Sequence, residues 1–349
     1  MQIITDILSN KLIAYLTENP GSSSRTIFAG IANGYSYSSV KRTLKKLTEE
    51  KVLNVTGAAR ATRYSVNSLR LLSTEIDPVE YFAREVDERN ARVDFNFDLI
   101  SQQLPKVKVF SGEESEHNEK LHRGFQSRIG HLSISEYKKE FQRLAIDLSW
   151  KSSQIEGNTY SLLETERLLL DRETASGKTH EEAVMLLNHK AALDFLLDYP
   201  NYVQPLRVKA IEDLHSILVK DLGVSRSIRN RRVGISGTNY RPPDNEFRIR
   251  EALEQMCVLV NSKENGLEKA LLVLLLISYI QPFEDGNKRT ARIISNAILM
   301  NEAYCALSFR TVSPLDYKKA MLIFYEQNNI SAFKRIFNEQ FEFAVNTYF

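Results

Sequence analysis

The stretch that decides the fold runs from 281 to 292 and reads Gln281-Pro282-Phe283-Glu284-Asp285-Gly286-Asn287-Lys288-Arg289-Thr290-Ala291-Arg292. Apolar, helix-like segments flank it on both sides. A polar loop that leads into a helix presents unpaired N–H groups and the positive end of the helix dipole to an anion. Arg289 and Arg292 project from one helix face, and Asp285 offers the hard oxygen ligand that Mg²⁺ uses beside phosphates. The stretch therefore predicts a site for a magnesium-bound polyphosphate.

This stretch resembles the signature of the Fic (Fido) family, H-x-F-x-D/E-G-N-x-R-x-x-R. The matching positions are Phe283, Asp285, Gly286, Asn287, Arg289 and Arg292, whereas Gln281 replaces the leading histidine. The resemblance extends over roughly residues 75–345. It implies a mainly α protein with an all-helical Fic core and a small β-hairpin flap.

A second stretch, Ser152-Ser153-Gln154-Ile155-Glu156-Gly157, is similar to the inhibitory motif of the family, S/T-x-x-x-E-G/N. The resemblance implies that Glu156 pairs with Arg292 in the same chain and so takes the arginine that would hold the γ-phosphate. Ser152, one helical turn earlier, is expected to hydrogen-bond locally and to fix the inhibitory helix. A surface salt bridge or cap is the alternative role for Glu156.

Residues 233–243 resemble the flap of the family, with a β-like run, a glycine and a Pro-Pro stop that suit a hairpin. The flap would bind a target segment by strand addition, and its candidate residues are Gly237, Thr238, Asn239 and Tyr240. Asn239, Tyr240 and Arg241 could also close over the nucleotide. The basic run just before it, Arg226, Arg229, Arg231 and Arg232, would contact an acidic target or the base, or form a solvated face.

The resemblance implies transfer of AMP from ATP to a protein hydroxyl, with Mg²⁺ held by Asp285. The implied nucleotide and phosphate ligands are Gly286, Asn287, Lys288, Arg289 and Arg292. Gly286 would let the backbone approach the phosphates, and the Asn287 amide would donate to a phosphate oxygen. Arg289 would contact the α- and β-phosphates and Arg292 the γ-phosphate. Lys288 either adds a cation there or faces solvent, and solvent is favoured.

Gln281 stands at the position of the general base. An amide has no nitrogen of useful basicity near neutral pH, and loss of a general base typically costs about 10²–10⁴-fold in rate. The sequence leaves two explanations open, a naturally degenerate member or a histidine changed for study. Nucleotide binding is expected to survive in either case.

Composition adds few constraints. The net charge of +2 over 349 residues gives no general signal for polyanions. The two cysteines, Cys257 and Cys305, argue against a disulfide scaffold. There is no signal-type N-terminus and no apolar run of about 20 residues, so a cytoplasmic protein without a membrane partner is expected. No Cys/His cluster suggests zinc, and no G-x-x-x-x-G-K-S/T loop is present.

Residues 1–68 are predicted to form a separate domain of three helices and a β-hairpin, with helices over 6–18, 24–31 and after the cap Ser36, and strands over 52–55 and 63–66. This order resembles a winged helix-turn-helix. The domain has nine Lys and Arg against four Asp and Glu, a net charge of +5, which suits DNA phosphates. The DNA-binding candidates are Lys41, Arg42, Lys45, Arg60 and Arg63. A protein–protein or dimerisation module is the alternative.

Residues 69–145 are predicted as a helical linker or the N-terminal part of the Fic region, with a charged helix over 81–96 and a polar loop over 113–119. Residues 146–349 are predicted as the Fic core. His189 and His215 lie on apolar helical patterns, so each is expected to be a satisfied structural histidine rather than a catalyst.

Three functions fit these observations. The first is an autoinhibited adenylyltransferase that is impaired at Gln281. The second is a non-catalytic, nucleotide-responsive regulator that binds DNA through residues 1–68. The third is transfer of a different phosphate-containing group. The target protein, the DNA site and the oligomeric state are open; a homodimer that inhibits in trans is an alternative to inhibition in cis.

Overall fold

The computed structural model describes residues 7–31 and 34–349. Asp6, where the first predicted helix begins, lies outside the described residues. Within them the protein is mainly helical, with one two-stranded antiparallel sheet, which confirms the predicted fold class. No helix in this part of the chain has the length and apolar character needed to cross a bilayer.

The N-terminal elements follow the predicted order. They are α1 (Ile7–Glu18), α2 (Ser24–Ile31), α3 (Tyr37–Glu49), β1 (Leu53–Thr56) and β2 (Arg63–Val66). Ser36 caps α3 as predicted, because its side chain accepts a hydrogen bond from the Ser39 N–H. A separate hydrophobic core holds these elements together and includes Leu12, Leu16, Val40, Leu44 and Leu47. The winged helix-turn-helix assignment and the domain boundaries stay predictions.

The predicted charged helix over 81–96 is wrong. After α4 (Ser68–Leu71) and α5 (Pro78–Tyr81), the chain forms only a 3₁₀ turn at Val86–Glu88 before Asp94 pairs with Arg241 in an isolated bridge. The physical reason is Arg89, which turns inward to within 3.4 Å of Glu326 and packs its guanidinium over the Phe82 ring. These long-range contacts outweigh the local preference for helix.

The predicted polar loop over 113–119 is also wrong. It is the first half of α6 (Gly112–Ile129). The Ser111 side chain accepts from the Glu114 N–H while Glu114 accepts from the Ser111 N–H, and this capping box satisfies two N–H groups at the helix start. Residues before it form a π-helical turn, Leu99–Gln103, and a 3₁₀ turn, Leu104–Lys106.

The remaining helices build one large core. They are α7 (Ile134–Ile155), α8 (Leu162–Asp171), α9 (His180–Asp198), α10 (Val208–Leu218), α11 (Glu246–Ser262), α12 (Gly266–Ile280), α13 (Asn287–Asn301), α14 (Pro314–Gln327) and α15 (Ser331–Thr347). Every residue of α12 from Ala270 to Ile280 is buried, and α12 packs most extensively on α13. Since such a helix cannot move without exposing apolar surface, the loop between α12 and α13 has a rigid frame.

The predicted flap does not form a β-hairpin. Residues 233–243 are extended around a turn at Ser236 and Gly237. The Arg241 N–H donates outside the segment, to the Val93 carbonyl at 2.6 Å, and Pro242 and Pro243 have no N–H to offer. The C-terminal end of the segment therefore offers no N–H to a ladder within the segment, and it pairs with the chain at Asp94 instead.

Candidate functional site

The loop between α12 and α13 is shaped by two residues with left-handed backbone conformations. Gln281, at the C-terminal cap of α12, has a φ of 51°, and Gly286, at the N-terminal cap of α13, has a φ of 80°. A Cβ on Gly286 would lie 3.2 Å from Val219 and 3.5 Å from His215. Glycine is favoured at 286 because a side chain would be strained in the left-handed conformation and would crowd Val219.

Asn287 holds the loop closed from inside. Its Oδ1 accepts from the Phe283 N–H at 2.8 Å, and its Nδ2 donates to the Phe283 carbonyl at 2.8 Å and to Gln281 Oε1 at 2.9 Å. Both amide hydrogens are therefore used within the loop. Donation from Asn287 to a phosphate oxygen stays a prediction, and it would require the Asn287 amide to exchange one of these hydrogen bonds.

Gln281 is bound into the same network. Its Nε2 donates to the Ser278 carbonyl at 2.7 Å, and its Oε1 accepts from Asn287. The side chain is buried, so the residue at the position of the base acts here as a structural link between the end of α12 and the start of α13.

Arg229 braces the loop from below, a role that the sequence did not reveal. Its Nε donates to the Gln281 carbonyl at 2.6 Å, and its Nη2 donates to the Pro243 carbonyl at 2.7 Å. Arg229 is buried, whereas Arg231 and Arg232 are exposed and pair with acidic residues of this chain. The basic run is therefore not one surface, and no local signal in the sequence separates its buried member from the exposed ones.

Asp285 and Arg289 form an ion pair one turn apart. Arg289 Nη2 lies 3.0 Å from Asp285 Oδ2, and the Asp285 side chain is 63% exposed while that of Arg289 is almost fully buried. No group of three or more His, Cys, Asp or Glu side chains capable of holding a metal occurs in the described residues. A single exposed carboxylate fits an ion such as Mg²⁺, which keeps several waters and takes other ligands from substrate phosphates.

Arg292 is fully buried and is bound by two residues at the end of α7, Ser152 and Glu156. Its Nε donates to Ser152 Oγ at 2.8 Å and its Nη2 to the Ser152 carbonyl at 2.9 Å. The same Nη2 lies 2.9 Å from Glu156 Oε1, and the guanidinium lies 5.3 Å from the centre of the Tyr317 ring. The structure thus brings Ser152, Glu156 and Arg292 together, as expected from the sequence.

Gly157 explains why Glu156 stands where it does. Gly157 has a φ of 98°, its N–H donates to the Gln154 carbonyl, and the Asn158 N–H donates to the Ser153 carbonyl. This pattern is a Schellman motif, which ends a helix at a left-handed residue. Glu156 is therefore the C-terminal cap of α7, with its carboxylate directed at Arg292.

Lys288 is not directed into solvent, contrary to the expectation. Its Nζ lies 3.1 Å from Glu156 Oε2, and 29% of its side chain is exposed. Burial opposes the charged form of Glu156, yet Arg292 and Lys288 outweigh it and lower the pKa of Glu156. A carboxylate at the negative end of a helix dipole is otherwise disfavoured, so these two cations hold it there.

His189 and His215 are fully buried. The His215 ring stacks on Phe283 with centroids 3.6 Å apart, its Nε2 lies 3.0 Å from the Asp285 carbonyl, and burial lowers its pKa to about 4. Burial, together with Arg292 and Arg289, lowers the pKa of His189 well below its usual value. His215 packs against the loop, as a structural histidine would. Neither ring nitrogen of His189 has a hydrogen-bond partner among the described residues, so the expectation of a satisfied histidine fails there.

The flap candidates divide into anchored and exposed residues. Tyr240 is buried, stacks on Tyr279 and donates to the Tyr279 carbonyl at 2.7 Å. It is therefore not free to close over a nucleotide. Gly237 and Asn239 are exposed and Thr238 is half-buried; Asn239 Nδ2 donates to Asp87, and the Gly237 carbonyl accepts from buried Arg89 at 2.8 Å.

The DNA-binding candidates are all exposed, namely Lys41, Arg42 and Lys45 on α3 and Arg60 and Arg63 at the hairpin. Lys45 lies 3.7 Å from Glu49, its neighbour four residues on. An exposed pair of this kind is worth little in free energy, so the cation stays available. These side chains lie on the small N-terminal elements and not at the loop between α12 and α13.

Comparison with known proteins agrees with this geometry. Residues 205–299 match the family model described as Fic/DOC family. The chain is 30% identical over 230 residues to "Protein adenylyltransferase Fic" of Nematostella vectensis, over 61% of this chain and 51% of that protein. It is 23% identical over 301 residues to the protein of the same name from Aedes aegypti, over 72% of this chain and 60% of that protein. The chain thus spans between half and three fifths of these relatives.

Two solved structures share the fold. Fic-1 from C. elegans superposes with a TM-score of 0.56 at 20% identity, over 66% of this chain and 72% of that one. A Fic family protein from Desulfovibrio desulfuricans G20 gives a TM-score of 0.55 at 19% identity, over 68% of this chain and 74% of that one. The helical core around the α12–α13 loop therefore has the fold of these Fic proteins. Within it, residues 205–299 are similar to the Fic/DOC family.

Proposed function

We propose that the chain is a Fic-type protein adenylyltransferase that is inhibited in cis by Glu156. The observation that carries the proposal is the contact of the Glu156 carboxylate with Arg292, beside a loop of Fic signature. Two relatives are named as protein adenylyltransferases, which supports the reaction class. ATP is the substrate, and the acceptor is a hydroxyl group on a protein.

The site residues would divide the work of nucleotide binding. The backbone N–H groups at the start of α13 and the side chains of Arg289 and Arg292 would bind the phosphates. Asp285 would hold Mg²⁺, which neutralises phosphate charge when it is bound, and Arg289 would then exchange its partner Asp285 for phosphate oxygens. The acceptor oxygen would attack the α-phosphorus, pyrophosphate would leave, and the hydroxyl proton would have to be accepted by a base.

Removal of the hydroxyl proton is the step that this site supports least. Gln281 cannot accept it, because an amide is not a base near neutral pH, and its side chain is already bonded to Ser278 and Asn287. His215 is no substitute, because its ring lies under the loop against Phe283. The present chain would therefore transfer AMP slowly.

The test is incorporation of label from α-labelled ATP into protein, with mass spectrometry to identify the added group. The Glu156→Gly/Gln281→His variant should label itself or an added protein mixture faster than Glu156→Gly alone. The Glu156→Gly/Gln281→His/Arg292→Ala variant is the matched control and should be silent. An added mass other than AMP would replace the proposal with another phosphate transfer, and no label in any variant would refute it.

A second candidate function is a nucleotide-responsive regulator without catalysis. Two observations favour it: the oxygen and the nitrogen of the amide at 281 each make a structural hydrogen bond, and the N-terminal elements present exposed cations. Retention of DNA at several salt concentrations, with and without ATP, tests it. Retention that changes with ATP would support this function, and no retention at low salt would contradict it.

A further inference from the structure

The two carboxylate oxygens of Glu156 have different cationic partners. Oε1 lies 2.9 Å from Arg292 Nη2, and Oε2 lies 3.1 Å from Lys288 Nζ. A mobile surface carboxylate would not be divided in this way. The arrangement is that of an anion seated in a site with two ligands, and the signature positions account for only one of the two.

Helix geometry explains how the two cations meet. Lys288 and Arg292 are four residues apart on α13, so their side chains share a face and would repel each other without an anion between them. Arg292 is fixed by Ser152 and Tyr317. Lys288 is partly exposed, and within residues 7–31 and 34–349 the only side chain to which it hydrogen-bonds is that of Glu156. When the carboxylate leaves, the buried Arg292 and the partly exposed Lys288 both lose their anionic partner.

We propose that Lys288 is a specificity-determining residue that, with Arg292, forms a two-cation seat for the terminal phosphate of a nucleoside triphosphate. Glu156 occupies this seat as a built-in stand-in, with one oxygen on each cation. A terminal phosphate carries at least one negative charge and three acceptor oxygens. It can therefore bind both cations with an oxygen to spare, whereas a carboxylate needs both of its oxygens. The inference rests on the proposed function, since it assigns a ligand to the same site.

The seat predicts that Lys288 distinguishes a triphosphate from a diphosphate. ADP lacks the third phosphate, so removing Lys288 should weaken the binding of ATP more than the binding of ADP. The effect should be largest when Glu156 does not compete. With Glu156 present, removing Lys288 also weakens the hold on the competing Glu156 carboxylate. Loss of the phosphate contact lowers the affinity for ATP, whereas weaker competition raises it, so the two effects oppose each other.

Calorimetric titration of ATP and ADP with MgCl₂ tests this on the full chain and three variants, Lys288→Met, Glu156→Gln and the double variant. Methionine keeps much of the lysine stem, and glutamine keeps the shape of glutamate without its charge. In the Glu156→Gln background, Lys288→Met should lower the preference for ATP over ADP about tenfold, the scale of one charge-assisted hydrogen bond. Lys139→Met, an exposed lysine on α7, should change neither affinity.

The outcomes separate the two proposals. If Glu156→Gln binds ATP and the double variant keeps the same preference over ADP, the two-cation seat is wrong while the nucleotide site stands. If neither Glu156→Gln nor the double variant binds ATP, the proposed function and the seat both fail. Circular dichroism of each variant shows that the helices are intact.

Discussion

At the residue scale, the candidate site is a set of polar side chains that mostly satisfy one another. Asn287 is the centre of this set, because it bonds to both the N–H and the carbonyl of Phe283 and to Gln281. Such an asparagine stabilises the loop in the absence of any ligand. These bonds fix the shape of the loop before any nucleotide binds.

Asn287→Ala tests this role. The change leaves the buried N–H of Phe283 without a partner, which costs about 1–3 kcal/mol, so the melting temperature should fall by a few degrees even without nucleotide. Asn301→Ala, whose bonds at the far end of α13 are more exposed, should cost less. Equal melting temperatures for the native chain and Asn287→Ala would contradict the bracing role.

Several residue contacts could be predicted from the sequence and several could not. The pairing of Glu156 with Arg292 was expected from the resemblance of two stretches to family motifs, and not from the residues alone. The Lys288–Glu156 pair and the inward turn of Arg229 depend on how distant segments meet. The bonding of Asn287 is local, but residue type alone does not show that its amide is directed into the loop. Residue type does not reveal which arginine of a basic run is buried.

At the element scale, the end of α7 controls where the Glu156 carboxylate lies. Helix α7 stops at Glu156 because Gly157 adopts a left-handed conformation and closes a Schellman motif. A side chain at 157 has open space, since nothing lies within 4 Å of a Cβ there. The cost of a substitution is therefore conformational and not steric.

Gly157→Val should displace Glu156. Valine in a left-handed conformation costs roughly 1–2 kcal/mol, so the helix end should rearrange, and the ATP affinity should rise as the carboxylate leaves Arg292. Gly21→Val is the matched control, because Gly21 has a φ of 76° with equally open surroundings and lies among the N-terminal elements. If both variants lose stability and neither gains ATP affinity, the helix end does not control access to the site.

Element boundaries show where sequence patterns succeed. The order of the N-terminal elements and the buried helix α12 follow local periodicity and capping, so both could be predicted. The start of α6 was missed although Ser111 and Glu114 have the spacing of a capping box, because the density of charge there also suits a loop. The missing helix after Tyr81 could not be foreseen, because Arg89 is drawn inward by Glu326, more than 200 residues away.

At the scale of the whole molecule, buried neutral histidines link folding to pH. Burial lowers the pKa of His215 to about 4 and of His189 well below 6.5. Below pH 6.5 these two histidines bind protons in the unfolded chain but stay neutral in the folded chain. The free energy of unfolding should therefore fall as the pH drops from about 6.5 to about 4. Depression of the Glu156 pKa acts in the same direction at still lower pH.

Thermal melts across this pH window measure the effect. His215→Gln removes one titrating group and should flatten the decline, which for His215 alone amounts to at most about 3 kcal/mol. His131→Gln, at an exposed position, should leave the pH profile unchanged. A profile that is flat from pH 6.5 to 4 in the native chain would show that the histidines are not held neutral.

The N-terminal domain supports a second test on the whole molecule. If its exposed cations bind DNA phosphates, the Lys41→Ala/Arg42→Ala variant should reduce the slope of log affinity against log salt by about 2. Fluorescence anisotropy with a duplex measures this, and Lys139→Ala serves as a control outside the domain. Binding whose salt slope does not change in the double variant would point to other residues, and no binding at low salt would favour a protein–protein role.

The measurement that tests the central claim most directly is calorimetric titration of ATP and MgCl₂ into the native chain, Glu156→Gly and Arg292→Ala. If Glu156 occupies the phosphate site, ATP should bind Glu156→Gly more tightly than the native chain by about tenfold or more, since one charged competitor is removed. Arg292→Ala should not bind. Equal ATP affinity in the native chain and Glu156→Gly would contradict inhibition by Glu156.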